Sequence, residues 1–294
     1  MKVFIVAGGT GGHLFPAIRL AEEISSRKAA DVLFVTSSRK QDTDFLKEKN
    51  LEFRTLPVIG MKSGGIKRTF IFLLMLFTGT LKSAYLLARF RPACVIGFGG
   101  YVSGPILLLA SLSGIRTVIH VQNVYPGRAN RMLARFVDRI ALNFNESTQY
   151  LKGFESKIVI SGNLLRKGLK KTQRAGDVFT ILAMGGSQGA HILNTMVPRA
   201  LGLLGPDRKS KLGVVHITGY KDTEDVKKAY ENSRVSGRIL EFTHDMDKIY
   251  AESDFVISRA GATTVSELMY LAKPSICLLY TSPSPRDRTR SRMP

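Results

Sequence analysis

Short runs rich in Val, Ile and Phe alternate along the chain with longer stretches whose apolar positions recur every three or four residues. Residues 2–7 form the first run. It ends in Gly8-Gly9-Thr10-Gly11-Gly12-His13, after which Ala17, Leu20, Ala21 and Ile24 fall at helical spacing, with Pro16 expected near the first turn. Runs at 32–36, 95–98, 117–121 and 140–142 predict strands, and 105–112 predicts a helix. The opening arrangement then recurs. Residues 179–184 read as a strand, Gly185-Gly186-Ser187-Gln188-Gly189-Ala190 as a loop, and His191 to Asn194 as the start of a helix. Strands at 214–218, 239–242 and 255–258 and helices at 222–231 and 246–251 complete the pattern.

Alternating strands and helices predict parallel, doubly wound α/β sheets. Two strand–glycine-loop–helix openings predict two Rossmann-like domains, at 1–162 and 163–276, with their loops facing a shared cleft beyond the strand ends. A length of 294 residues fits that count, since domains usually run ~100–200 residues. Apolar residues at 44% and charged residues at 22% exclude a disordered chain. Two distant cysteines, Cys94 and Cys277, do not form a disulfide framework.

The segment 277–294 breaks the rhythm with three prolines and alternating Arg and Ser. It reads either as a basic tail or as a translated sequencing adapter appended near Ile276, and the second reading is preferred. It holds four Arg and one Asp, so the formal charge of +20 falls to +17 without it. That charge calls for an anionic partner. Nucleic acid is disfavoured because the basic residues are dispersed, Trp is absent and no basic-aromatic motif occurs. The N-terminus lacks the layout of a signal peptide.

The most apolar stretch, Thr69 to Leu81, is thirteen residues long, short of the ~20 needed to span a bilayer. Its centre, from Phe70 to Phe77, is flanked by Lys62, Lys67, Arg68, Lys82, Arg89 and Arg91. It reads either as a core helix or as a helix lying on an anionic leaflet.

Glycine turns before helices offer N–H groups to anions, yet neither loop matches a nucleotide fingerprint, and a plain tight turn explains each one equally well. A third glycine cluster, Gly97-Phe98-Gly99-Gly100-Tyr101, favours ligand binding. Between Ser258 and Glu267 a further loop enters a helix. Glu267 reads either as the partner of Thr264 in a capping box or as a carboxylate for ribose hydroxyls. The five histidines show no metal spacing. His216 and His244 read as accommodated side chains, whereas His13, directly after a glycine loop, is placed to act as a general base. Asp42-Thr43-Asp44 reads as the solvated, acidic opening of a helix.

Six ordered motifs resemble one family: 8–13, 99–105, His120-Val121-Gln122-Asn123, Gly162-Asn163-Leu164-Leu165-Arg166, 185–190 and 262–267. It is the MurG family of bacterial peptidoglycan N-acetylglucosaminyltransferases, which convert lipid I to lipid II. The resemblance implies a GT-B fold and inverting, metal-independent transfer without a cofactor. The sugar would pass from UDP-N-acetylglucosamine to the C4 hydroxyl of the muramoyl sugar of lipid I, an undecaprenyl-diphosphate acceptor. Residue by residue it implies donor contacts at Thr10, Gly11, Gly12, Asn123, Arg166, Ser187, Thr243, Ala262, Thr263, Thr264, Val265, Ser266 and Glu267. It places His13, Gly99, Gly100, Tyr101, Ser103, Gly104 and Asn130 on the acceptor side, and Gly186, Gln188, Gly189 and Asn194 elsewhere in the cleft. His13 is the expected base, and Arg166 and the helix end after the Gly185 loop are expected to offset diphosphate charge. The implied location is the cytoplasmic face of the cell membrane, as a peripheral protein.

Two positions depart from the family pattern: Val121 replaces a glutamate and Leu164 a proline. The family's donor-binding segment after residue 276 is also missing, so weak donor binding and slow turnover are expected. The competing readings are a related enzyme glycosylating another membrane lipid and a non-catalytic basic protein that docks on membranes.

Overall fold

Val3, Phe4, Ile5 and Val6 are all buried, which requires that the first strand be covered on both faces. The computed structural model describes residues 1–9, 11–60, 65–171, 178–186, 189–243 and 245–278. The chain divides into two units, one covering Met1–Arg166 and one beginning at Lys167.

The first unit runs β1 (Lys2–Val6), α1 (Gly11–Ser26), β2 (Asp31–Ser37), α2 (Lys40–Glu48), β3 (Phe53–Leu56) and α3 (Ile66–Phe90). It continues through β4 (Cys94–Gly97), α4 (Ser103–Leu112), β5 (Arg116–Val121), α5 (Arg128–Leu133), β6 (Arg139–Leu142) and β7 (Ile158–Ile160). The strands form one sheet in the order β3-β2-β1-β4-β5-β6-β7, and every pairing is parallel. Val3 and Ile5 pack with Leu14, Ala17 and Ala21 of α1 on one face. Phe4 and Val6 pack with Leu86, Ile106 and Leu107 on the other.

The second unit contains β8 (Phe179–Met184), α6 (His191–Gly202), α7 (Pro206–Ser210), β9 (Leu212–Ile217), α8 (Thr223–Ser233) and β10 (Gly237–Leu240). It ends with α9 (Met246–Glu252), β11 (Phe255–Arg259), α10 (Ala262–Leu271) and β12 (Ser275–Leu278). Its parallel sheet has the order β10-β9-β8-β11-β12. In β12, Cys277 and Leu278 pair with Ser258 and Arg259, two residues past the point where the sequence changes character. The rest of that segment, 279–294, lies outside the described residues.

Both sheets change direction once, between β1 and β4 and between β8 and β11. Such switch points open a crevice at the carboxyl ends of the strands. In the first unit this brings together the glycine loops that follow β1 and β4. In the second it brings together the loops that follow β8 and β11.

Three expectations need revision. Pro16 lies inside α1, which already starts at Gly11, so it gives up a helical bond to residue 12 while its ring is buried. Residues 163–166 belong with the first unit: Leu164 packs on the α1 side of its sheet, and the Arg166 guanidinium lies 4.7 Å over the Phe15 ring. The apolar stretch is part of a 25-residue helix, α3, and residues 67–90 suffice to cross a membrane by length and composition. Only 22% of the apolar window is buried, so the core-helix reading fails for its first half. The other end is fixed: Gly79 meets Val58, Ser83 is buried, and Leu86 and Leu87 join the core. Surrounding all of α3 with lipid would strip those residues from the sheet.

Candidate functional site

In the first unit the site begins with the turn that carries the chain from β1 into α1. Gly9 has φ +91 and lies against the Tyr101 ring. Its N–H donates to Asp42 Oδ2 at 2.8 Å, the same oxygen that accepts the Ser37 hydroxyl at 2.6 Å. The Arg39 guanidinium donates to the Gly9 carbonyl. Asp42 is therefore buried, not a solvated first-turn residue, because the order β2-β1 lays the start of α2 beside the glycine loop. This corrects the reading from composition, and it takes one N–H of the loop out of play for an anion. Thr10 lies outside the described residues. Gly11 and Gly12 open α1, with Gly12 exposed.

His13, in the first turn of α1, is half-buried, and its Nδ1 lies 3.1 Å from Gln122 Oε1. Burial pushes its pKa below the usual imidazole value, against smaller opposing effects from the Gln122 side chain and the Phe98 carbonyl. The imidazole is thus held neutral, as a base must be. The turn after β4 completes the surroundings. Gly99 and Gly100 have φ +90 and +76, and a Cβ on Gly99 would sit 3.3 Å from both His13 Cε1 and the Asn130 carboxamide. Asn130 is buried, and its carboxamide oxygen has no hydrogen-bond partner among the described residues. Ser103 is fully buried, and its hydroxyl donates to the Gly99 carbonyl at 2.8 Å, closing the turn. Gly104 opens α4 with free space beside it. The structure thus brings His13, Gly99, Gly100 and Asn130 together, with Tyr101 beside Gly9. Asn123 is exposed just beyond β5.

Each departure from the family pattern has a local reason. Val121 is the last residue of β5 and is buried in an apolar cluster with Val6, Ile106 and Ile140. The Leu164 N–H donates to Asn163 Oδ1 at 3.0 Å, a bond proline has no donor to make.

In the second unit, Gly189 must lack a side chain, since a Cβ would lie 2.0 Å from the Thr218 carbonyl oxygen. Gly186 is exposed with positive φ. Ser187 and Gln188 lie outside the described residues, as does His244. Asn194 faces inward. Its Nδ2 donates to the Thr218 carbonyl and to Asp222 Oδ2, and its Oδ1 lies 3.1 Å from His216 Nε2. Thr243 Oγ1 accepts the Asp245 N–H at 3.1 Å. α10 starts at Ala262 with Gly261 as its cap, so Thr264 is its third residue and cannot be the cap of a capping box. Ala262, Thr263, Thr264, Val265 and Ser266 are half-exposed along its first turns. Thr263 Oγ1 is buried without a partner among the described residues. Glu267 is 2% exposed, and its Oε2 accepts the Tyr250 hydroxyl at 3.0 Å.

The sequence placed Asp42 in solvent and carried no expectation for Tyr250 or for the use of Gln122 and His120. A signal existed for the last two: Gln122 directly follows β5 and stands two residues after His120, the spacing that keeps side chains on one face of extended chain.

The chain matches known proteins along most of its length. The glycosyltransferase family 28 N-terminal domain matches residues 3–142, and the glycosyltransferase family 28 C-terminal domain matches 180–287. A relative from Syntrophus aciditrophicus is 39% identical over 95% of this chain and 78% of its own length. One from Desulfotalea psychrophila is 38% identical over 95% and 76%. Both carry the name UDP-N-acetylglucosamine--N-acetylmuramyl-(pentapeptide) pyrophosphoryl-undecaprenol N-acetylglucosamine transferase. The crystal structure of Acinetobacter baumannii MurG superposes with a TM-score of 0.72 at 26% identity, covering 98% of this chain and 80% of that one. A Listeria monocytogenes protein described as a UDP-N-acetylglucosamine 2-epimerase shares the fold at TM-score 0.67 and 12% identity, over 98% and 82%.

Proposed function

The chain belongs to glycosyltransferase family 28, and from that membership we propose that it transfers N-acetylglucosamine from UDP-N-acetylglucosamine to lipid I, giving lipid II for peptidoglycan synthesis. The observation that carries this reading is that relatives 38–39% identical along 95% of the chain share one named activity. The fold is the two-domain parallel α/β architecture of that family, with sheet switch points where ligands of such sheets bind.

In the reaction the C4 hydroxyl oxygen of the muramoyl sugar forms a bond to the anomeric carbon. The bond from that carbon to the UDP oxygen breaks, UDP departs with the electron pair, and the hydroxyl proton passes to a base. We assign the base to His13, which is neutral and next to the side-chain-free edge formed by Gly99 and Gly100. The buried Asn130 carboxamide oxygen, without a partner among the described residues, is the nearby group suited to accept a hydrogen bond from a sugar hydroxyl. In the second unit the start of α10 presents N–H groups suited to a diphosphate, and Glu267 is the carboxylate assigned to the ribose. Thr10, Gly11, Gly12, Asn123 and Arg166 remain proposed donor contacts in the first unit, and Ser187 in the second.

Membrane docking is inferred from α3. Phe70 and Phe77 are 66% and 61% exposed, and Leu73, Leu74 and Leu81 are also exposed, with Lys67, Arg68, Lys82 and Arg89 exposed on the same helix. An apolar face bordered by cations suits an anionic lipid surface at which an undecaprenyl acceptor resides.

The test offers the purified chain UDP-N-acetylglucosamine with either a lipid I analogue or diacylglycerol and follows UDP release. Acceptor selectivity, not rate, is the readout. Release that depends on the lipid I analogue supports the proposal. Release with diacylglycerol alone moves the activity to another lipid, and release with neither leaves only the docking reading.

A further inference from the structure

Four groups in the first unit form an unbroken hydrogen-bonded chain that ends at His13. His120 Nε2 lies 3.0 Å from the Gly162 carbonyl oxygen. The Gln122 amide nitrogen lies 3.1 Å from the Phe98 carbonyl oxygen and 3.2 Å from His120 Nδ1. Gln122 Oε1 lies 3.1 Å from His13 Nδ1. His120 and Gln122 are buried.

The proton positions follow from what each group can do. A carbonyl only accepts, so the Gly162 oxygen fixes a proton on His120 Nε2. The two carbonyls also fix the amide, because turning it over would set Oε1 against the Phe98 oxygen. Both amide hydrogens are then committed, one to Phe98 and one to His120 Nδ1, which must be a bare lone pair. Gln122 Oε1 can only accept, so the hydrogen shared with His13 sits on His13 Nδ1. Neutral His13 is left with its lone pair on Nε2. That atom lies between Cε1 and Cδ2, the ring atoms that face the Cβ positions of Gly99 and Gly100. The bare nitrogen therefore faces the space those two glycines leave open.

We propose that Gln122 is a positioning residue, locked by Phe98, His120 and Gly162, that holds His13 in the tautomer whose Nε2 accepts the sugar hydroxyl proton. This rests on the assignment of His13 as base, and the tests separate the two. Free imidazole side chains favour the opposite tautomer, so the lock changes which nitrogen is available. Burial holds both histidines toward the neutral form, and a proton on His13 would lower the His120 pKa further.

The deciding measurement is nitrogen-15 NMR of histidine-labelled full chain at neutral pH. The expected spectrum shows Nδ1–H with bare Nε2 for His13 and Nε2–H for His120. Nε2–H on neutral His13 overturns the proposal whatever the variants do. Gln122→Met is expected to move His13 to Nε2–H and lower kcat at least about tenfold with donor KM unchanged. An unchanged tautomer in that variant also overturns it. Gln122→Glu keeps an acceptor for Nδ1–H, so it should retain the tautomer and shift the acidic limb of the kcat profile to higher pH. A locked tautomer combined with full turnover of His13→Ala leaves the lock standing and removes His13 as the base.

Discussion

The Gly9 N–H is bonded to a carboxylate oxygen of Asp42, thirty-three residues away and buried. This carboxylate, with Ser37 and Arg39, holds the glycine turn that delivers His13 to its place. Asp42→Ala leaves the Gly9 N–H and the Ser37 hydroxyl without their buried acceptor, at a cost of about 2–3 kcal/mol in urea unfolding. Asp42→Asn keeps one oxygen and should cost less. Equal stability of Asp42→Ala and the native chain would show that the bond is incidental.

Tyr250→Phe tests the carboxylate of the second unit in the same way. It removes the hydroxyl that donates to Glu267 while keeping the ring buried between α9 and the sheet. A buried carboxylate that loses a donor costs about 1–3 kcal/mol. If Glu267 binds ribose, the loosened side chain should raise the donor KM more than it lowers kcat. A change in kcat alone would place Glu267 outside donor binding.

Much of this was readable in the sequence where the signal is local. The buried runs of β1 and β8 and the glycines after them declare parallel strands and their turns, since a strand covered on both faces does not alternate. What escaped depends on partners distant in sequence. Asp42 looks solvated until β2 is known to lie beside β1, and Tyr250 carries no mark of Glu267 until α9 and α10 pack together. The full length of α3 was hidden by Thr78, Gly79, Thr80, Lys82 and Ser83, which read as an interruption. The hydroxyls of Thr78, Thr80 and Ser83 instead donate to carbonyls one turn back, so their polarity is absorbed within the helix.

His216 predicts an acid-sensitive second unit. Burial lowers its pKa from 6.5 to about 4, and its two nitrogens are held by Asn194 and Tyr230. Between those values the unfolded chain binds the proton and the folded chain does not, so stability is full above about pH 6.5 and falls as the pH drops toward 4. The loss by pH 4 is about 3 kcal/mol. Burial lowers the pKa of His13 and His120 in the same direction, so the comparison that isolates His216 is with His216→Gln. That variant should be less stable at pH 7.5 yet show a shallower decline in urea midpoint from pH 7 to 4.5. Parallel declines would remove His216 as the source.

The exposed half of α3 gives the last prediction. Phe70 and Phe77 contribute nothing to the core, so replacing both with Ser should leave the melting temperature unchanged. Burial of a large apolar side chain in a lipid interface is worth roughly 1.5–3 kcal/mol. Removing two should therefore weaken binding to vesicles containing phosphatidylglycerol by well over about tenfold. Lys67→Gln with Arg68→Gln should instead weaken it in a salt-dependent way, since exposed cations act through screened attraction. Flotation with anionic and neutral vesicles at low and high salt separates the two contributions. Docking through α3 requires that both matter. Binding untouched by Phe70→Ser with Phe77→Ser would leave the exposed apolar face without a role at the membrane.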